Sequence, residues 1–197
     1  MPSIGILLHW SCLRTGRYLT FALKEVDREG DGYRWNLWLY DLESRESRQI
    51  TRGDHQRKAV WEDNTHILYK TTEPDEALRA RGFEEEWTVY HRLNVSTGEE
   101  REAFRLPMSV SGLWKMDEGR YVFTGETHLD RPNLLELTGE ALEKELVRRQ
   151  QTKGYKVLTE LPLCENGVGM FNQTRITLFL YLELPENIAG SRRRTMM

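Results

Sequence analysis

Short, β-rich apolar runs bounded by turn chemistry set the pattern of this chain. Tyr18-Leu19-Thr20-Phe21-Ala22-Leu23 predicts a strand. Asn36 to Leu42 predicts a second, with Leu37 and Leu39 on one face and Trp38, Tyr40 and Leu42 on the other. Apolar residues on both faces predict a strand covered on both sides rather than one facing water. Glu43-Ser44-Arg45-Glu46 is a polar turn and Arg48-Gln49-Ile50-Thr51 a short return strand, which together make an antiparallel hairpin.

The same order then returns. Ala59-Val60-Trp61 and His66-Ile67-Leu68-Tyr69-Lys70 are predicted strands around the turn Glu62-Asp63-Asn64. Trp87-Thr88-Val89-Tyr90 leads to Leu93-Asn94-Val95, and Ser96-Thr97-Gly98-Glu99 is a turn before Glu102-Ala103-Phe104-Arg105-Leu106. A third round runs through Ser111-Gly112-Leu113-Trp114, the turn Asp117-Glu118-Gly119-Arg120, Tyr121-Val122-Phe123-Thr124 and Asn133-Leu134-Leu135-Glu136-Leu137. The anchor Gly16-Arg17-Tyr18-Leu19-Thr20-Phe21 recurs as Gly119-Arg120-Tyr121-Val122-Phe123-Thr124, with a looser copy at Asn64 to Tyr69. The copies start 48 and then 55 residues apart. A period near fifty, each unit a turn-linked meander, predicts propeller blades, whose stacking buries both faces of each small sheet.

Two segments depart from a plain blade. Pro74 to Arg81 has the composition of one or two helical turns between strands. Thr138 to Gln151 predicts a fuller helix with Leu142, Leu146 and Val147 on one face and i,i+4 pairs Glu140–Lys144 and Glu145–Arg149. Tyr155-Lys156-Val157-Leu158 and Arg175 to Leu184 are predicted strands. Residues 185–197, with Arg192-Arg193-Arg194 and no apolar pattern, are expected to be a disordered tail after a domain of residues 1–184. The fold expected is all-β, an incomplete propeller of three to four antiparallel blades with one inserted helix.

Composition narrows the function. Hydrophobic residues make up 39% and charged residues 30% of the 197, a globular profile with six Trp, eight Tyr and six Phe for packing. A formal net charge of −3 argues against non-specific nucleic-acid binding. No apolar run approaches the ~20 residues of a membrane-crossing helix, and the start of the chain is a poor signal peptide. A cytoplasmic location is expected, with Cys12 and Cys164 as free thiols at no metal spacing. No metal or cofactor motif occurs, and the five histidines, His9, His55, His66, His91 and His128, are scattered. His66 and His91, in or beside strands, are expected to be structural. Asp41, Glu43 and Asp117 are expected to cap turn amides. Asn94-Val95-Ser96 and Asn172-Gln173-Thr174 match the glycosylation pattern but are discounted without a secretion signal.

The joint order of motifs resembles the early blades of prolyl-oligopeptidase-family (S9) serine peptidases of the acylaminoacyl-peptidase and dipeptidyl-aminopeptidase type. There a Ser-Pro-Asp-Gly-Arg-Tyr turn precedes a strand, and a strand ending Leu-Trp-Leu-Tyr-Asp follows. Trp10 to Tyr18 and Asn36-Leu37-Trp38-Leu39-Tyr40-Asp41-Leu42 occupy those places, with Cys12-Leu13-Arg14 where Pro-Asp is usual. Thr88 to Glu99 looks like the next blade, and Leu161 to Tyr181 like a later junction. The resemblance implies a propeller that admits short or N-acylated peptides and excludes folded proteins, beside an α/β-hydrolase domain that supplies a Gly-x-Ser-x-Gly serine with Asp and His. No serine of this chain sits in that motif, so no catalytic residue is assigned and the isolated chain is expected not to be a peptidase.

One segment is a candidate substrate site. Glu84-Glu85-Glu86 stands directly before the strand at Trp87. In dipeptidyl-peptidase relatives two propeller glutamates grip the substrate's free amino terminus, and a desolvated carboxylate pair would hold an ammonium by charge-assisted hydrogen bonds. The other reading is a solvated acidic loop balancing Arg79 and Arg81. For the whole chain the alternatives are a non-enzymatic TolB-like binding scaffold or a degenerate gene fragment. Open blade faces also predict self-association.

Overall fold

The computed structural model describes residues 6–12, 16–27, 30–117, 119–128, 131–153, 164–165, 169–170 and 174–182. Its strands form three antiparallel meanders. The first runs in spatial order through β1 (Ile6–Cys12), β2 (Tyr18–Asp27), β3 (Gly32–Asp41) and β4 (Glu46–Gln49). The second runs through β5 (Ala59–Trp61), β6 (His66–Pro74), β7 (Glu86–Asn94) and β8 (Glu100–Leu106), with the one-turn helix α1 (Glu76–Arg79) between β6 and β7. The third takes β9 (Val110–Asp117), β10 (Arg120–His128) and, after a long excursion, β13 (Thr174–Leu182). That excursion holds a 3-10 turn (Leu134–Glu136), helix α2 (Gly139–Gln151) and the two-stranded hairpin β11 (Cys164–Glu165) and β12 (Gly169–Met170). Propeller blades are small antiparallel meanders of this kind repeated along the chain, and the fold is all-β, of propeller-blade type with helical insertions.

The repeated anchor has one structural meaning. Each copy opens the second strand of its meander, β2, β6 or β10. Gly16 and Gly119 turn the chain with φ of +73° and +70°, a left-handed conformation that costs a residue with a Cβ. The looser copy turns by side-chain capping instead. The Asp63 carboxylate accepts hydrogen bonds from the amides of Thr65 and His66, at 2.7 Å each, and meets the His66 ring at 2.8 Å. Burial opposes the Asp63 charge, but these bonds together hold its pKa down at about 2. A carboxylate whose pKa is lowered on folding stabilises above its unfolded value and loses that contribution as pH falls through the folded one. Stability is therefore expected to drop between about pH 4 and pH 2. Asp63→Asn should flatten that limb of a urea-denaturation pH series, and an unchanged limb would refute the assignment.

The chain divides into two compact units. One comprises Met1–Glu73, Thr88–Arg105 and Trp114–Glu118, the other Pro74–Trp87, Leu106–Leu113 and Gly119–Met197. The first is built on Ala22, Leu37, Leu39, Ala59, Ile67, Tyr69, Leu93 and Val95, against which Tyr18, Ile50 and Trp61 pack. Asn36 is buried there because its amide and the Asp54 backbone and carboxylate satisfy one another, at 2.9 and 3.2 Å. The two-sided cover expected of β3 is partial. Leu37 and Leu39 are buried, Trp38 and Tyr40 are half-buried, and Leu42 lies beyond the strand in the turn and is exposed.

The second unit has a cluster of Leu78 from α1, Leu134 from the 3-10 turn and Leu146 from α2, with Phe83, Leu135, Leu137 and Leu142 around it. Two expectations are corrected here. Asn133 to Leu137 is not a strand: the Asn133 side chain accepts the Leu135 amide at 3.0 Å and donates to the Pro107 carbonyl, winding the segment so that Leu134 is buried. Val147 is exposed, and the inward face of α2 carries Leu142, Glu145, Leu146 and Arg149 instead. A carboxylate can take that place because Arg148 and Arg149 both donate to it. The expected strand at Tyr155 to Leu158, the 185–197 tail and the Cys12 and Cys164 side chains lie outside what is described.

Candidate functional site

The Glu84-Glu85-Glu86 run is placed by the helical turn before it. Asp75 caps α1, accepting the Leu78 amide at 3.0 Å, and its second oxygen accepts Trp87 Nε1 at 3.1 Å. The Asp75 amide in turn donates to the Glu85 carbonyl at 2.8 Å. The bonds to Trp87 and Glu85 lock the two ends of the insertion together, so that the glutamates stand at the start of β7. The hydrogen bonds to its carboxylate, led by the Leu78 amide, hold the Asp75 pKa below the ordinary range.

These glutamates line a cavity of about 1090 Å³ contained in the second unit. Its other walls are Pro107, Met108 and Ser109 from the β8–β9 connection, the end of β10 from Glu126 to His128, and the segment Arg131 to Asn133 with Leu135 and Glu136. Arg149 of α2 and Phe179 of β13 complete it. Gly125 makes room for the apolar part: a Cβ there would meet Met108 Sδ at 2.5 Å and Phe179 Cε2 at 3.4 Å. Five glutamates face two arginines and one histidine across this space, so the cavity is acidic with an apolar patch of Pro107, Met108, Leu135 and Phe179.

The three glutamates are not equivalent. Glu85 is half-buried and its carboxylate accepts from Arg149 at 2.7 Å. Arg149 also donates to Glu145 at 3.0 Å and to the Pro132 carbonyl at 2.6 Å, so one largely buried guanidinium ties α2, the Pro132 segment and the β7 start together. Glu84 and Glu86 are exposed, and among the described residues neither has an ion-pair partner. They are the two carboxylates of the run that no arginine among the described residues occupies. The solvated-loop reading is corrected in its partners: Arg79 lies 3.6 Å from Glu76, and Arg81 makes a two-pronged pair with Glu143 at 2.7 and 2.8 Å. Arg149, the residue sequence reading did not connect to Glu85, lies 64 positions away and carried only its i,i+4 signal toward Glu145.

His66, His91, Asp41 and Asn94 hold structural places. His66 bridges Asp63 and, at 3.3 Å, Asn94. His91 stacks on Tyr69 at 5.5 Å and meets Glu100 at 3.2 Å. Asp41 accepts the Glu43 amide at 2.9 Å, a turn cap as expected, and the Arg17 guanidinium at 3.1 Å. Asn94 accepts the amides of Ser96 and Thr97 at 2.9 and 3.1 Å, a turn role; Asn172 lies outside the described residues.

No protein-family model matches this chain, and no curated protein sequence matches it. Solved structures do resemble it. Acylaminoacyl peptidase from Pyrococcus horikoshii superposes with a TM-score of 0.57 over 98% of this chain and 25% of that one, at 10% identity. An acylaminoacyl peptidase in complex with Z-Gly-Gly-Phe-chloromethyl ketone gives 0.56 over the same shares at 9% identity. AtxE2 isopeptidase in its apo form gives 0.51 over 94% of this chain and 30% of that one, at 14% identity. At such identities the likeness is one of fold, and the chain spans about a quarter of the length of the acylaminoacyl peptidases it matches. Nearly the whole chain thus has the fold of one stretch of those peptidase chains, built from propeller-blade meanders.

Proposed function

We propose that this chain is the propeller, substrate-gating portion of a prolyl-oligopeptidase-family serine peptidase acting on short or N-acylated peptides in the cytoplasm, the nucleophile being carried outside these residues. The observation behind this reading is the fold likeness over 98% of this chain to only 25% of an acylaminoacyl peptidase. A peptide-like chloromethyl ketone is the ligand in one of the matched structures, which supports a peptide substrate for the parent enzyme. In this reading the acidic cavity is a peptide contact. Glu84 and Glu86 take the ammonium of a free amino terminus, Glu85 is held back by Arg149, and the apolar patch accepts a neighbouring side chain.

The chain alone, incubated with a panel of aminoacyl and acyl-aminoacyl chromogenic amides, is expected to release no chromophore. Release that survives repurification and is lost with a serine-directed inhibitor would place the nucleophile within these residues and overturn the reading. Calorimetric titration separates the site from the fold. A short peptide with a free amino terminus is expected to bind more tightly than its acetylated form, and Glu84→Gln with Glu86→Gln to remove the difference. Equal binding of both peptides would sink the role of the two glutamates.

A further inference from the structure

Within the first unit, one end of the β5–β6 pair gathers positive charge without neutralising it. Antiparallel register sets Trp61 against Ile67, Val60 against Leu68 and Ala59 against Tyr69, and one step further brings Lys58 to Lys70. Like charges directly opposite one another across a strand pair destabilise it. Lys70 is half-buried, and burial first, then the charges of Lys58 and Arg57, hold its pKa below the ordinary lysine value. Three cations therefore act on one another at this place. Arg57 and Lys58 are exposed, and among the described residues neither meets a carboxylate.

The arginine is held by its neighbours. Its guanidinium lies over the Trp35 ring, 4.6 Å from the centroid. The segment leading to it is pinned to β3: the Trp35 amide donates to the Asp54 carbonyl at 2.8 Å, and the Gln56 amide to the Trp35 carbonyl at 3.0 Å. Gln56 is itself buried, and its side chain accepts the Gly53 amide at 3.1 Å. A guanidinium stacked on an aromatic face still presents its N–H edge to an oxyanion, and one fixed beforehand loses less freedom on binding. Lys24, 5.1 Å from the same ring, adds a fourth cation nearby.

From this cluster we propose that Arg57, Lys58 and Lys70 form a binding site for a small phosphate anion, separate from the acidic cavity of the second unit. A terminal phosphate group brings about −1.5 to −2 charge and three acceptor oxygens. A carboxylate brings one charge and two oxygens, too little for three cations. The Arg57 fork takes two phosphate oxygens, and the two ammonium groups take the remaining charge. A bound phosphate turns the mutual repulsion of these cations into attraction to a shared partner. The inference is independent of the peptidase reading.

The test is calorimetric titration of the full chain with inorganic pyrophosphate, with acetate and with sodium chloride of matched ionic strength as references. Saturable pyrophosphate binding is expected, and none of either reference. Lys58→Gln and Arg57→Gln should each weaken it at least about tenfold, the worth of one hydrogen bond to a charged group. Lys144→Gln, exposed on α2, should leave it unchanged. Stability supplies an independent sign. Without phosphate, Lys58→Gln removes a like charge and is expected to raise the urea midpoint above that of the parent, while the gain that pyrophosphate gives the parent disappears. A lysine that merely supported the fold would lower the midpoint when replaced. Four results would overturn the inference: pyrophosphate effects no greater than those of salt at equal ionic strength, equal binding of acetate, binding unchanged in both cluster variants with native circular dichroism, or equal loss in Lys144→Gln.

Discussion

Phe123→Ala is expected to cost about 3–5 kcal/mol, the usual range for removing a fully buried aromatic side chain. Phe123 is 0% exposed in the middle of β10 and stacks on Phe179, so its loss leaves a void between the central and outer strands of the third meander. Those strands pair along their full length, from Arg120 with Leu182 to His128 with Thr174, and the side chains between them cannot move independently to refill the space. Against a typical total stability of about 5–15 kcal/mol, this loss takes from about a fifth of the margin to nearly all of it. Urea denaturation followed by circular dichroism measures the shift, with Val147→Ala as the exposed control, expected within about 0.5 kcal/mol of the parent. A Phe123→Ala midpoint equal to that control would mean that β13 does not lie on β10 as described.

The second large effect is expected at Arg149. Arg149→Met keeps the length of the stem but leaves the Glu85 and Glu145 carboxylates without this donor. Removing one partner of a buried ion pair costs about 3–5 kcal/mol, and because Arg148 still serves Glu145 the expectation here is about 2–3 kcal/mol. The matched control is Arg81→Met, whose pair with Glu143 is exposed on both sides and should give no resolvable change. Acid titration adds a signature that lost packing would not produce. The hydrogen bond from Arg148, and with it that from Arg149, holds the Glu145 pKa below the ordinary range against the opposing effect of burial. Its contribution is present above the unfolded carboxyl value and lost as pH falls through the folded one, so the variant should lose less stability on acidification than the parent. An identical acid limb in both proteins would show that Arg149 does not hold Glu145 in solution. Because Arg149 also anchors Glu85, the variant should loosen the start of β7 and weaken any ligand held by Glu84 and Glu86.

What the amino-acid sequence determined by itself was everything decided within a few residues. Gly16 and Gly119 mark left-handed turns, the Asp63 and Asn94 side chains cap turns of their own hairpins, and the apolar runs between them name nearly every strand of the three meanders. The i,i+4 pairing of Glu145 with Arg149 belongs to the same class, because a helix brings those two side chains together wherever it stands. Blade repeats were legible for the same reason: a meander is a succession of local hairpins, and its periodicity is written along the chain.

Only the tertiary structure decided what joins distant segments. Asn133 to Leu137 has strand composition, yet it winds into a 3-10 turn because Asn133 reaches the Pro107 carbonyl and Leu134 fills a site between α1 and α2. Val147 lies within the apolar stripe of α2 by period, but the neighbours of that helix take Glu145 and Arg149 instead. β13 finds β10 across an excursion of more than forty residues, and nothing in its own composition says which strand it will join or which of its faces stays exposed. In the Glu84–Glu86 run three identical side chains differ only because one of them meets a guanidinium from a helix 64 positions away. Local backbone preference carries no information about such partners; they are selected by burial and by the need to satisfy charge where segments meet.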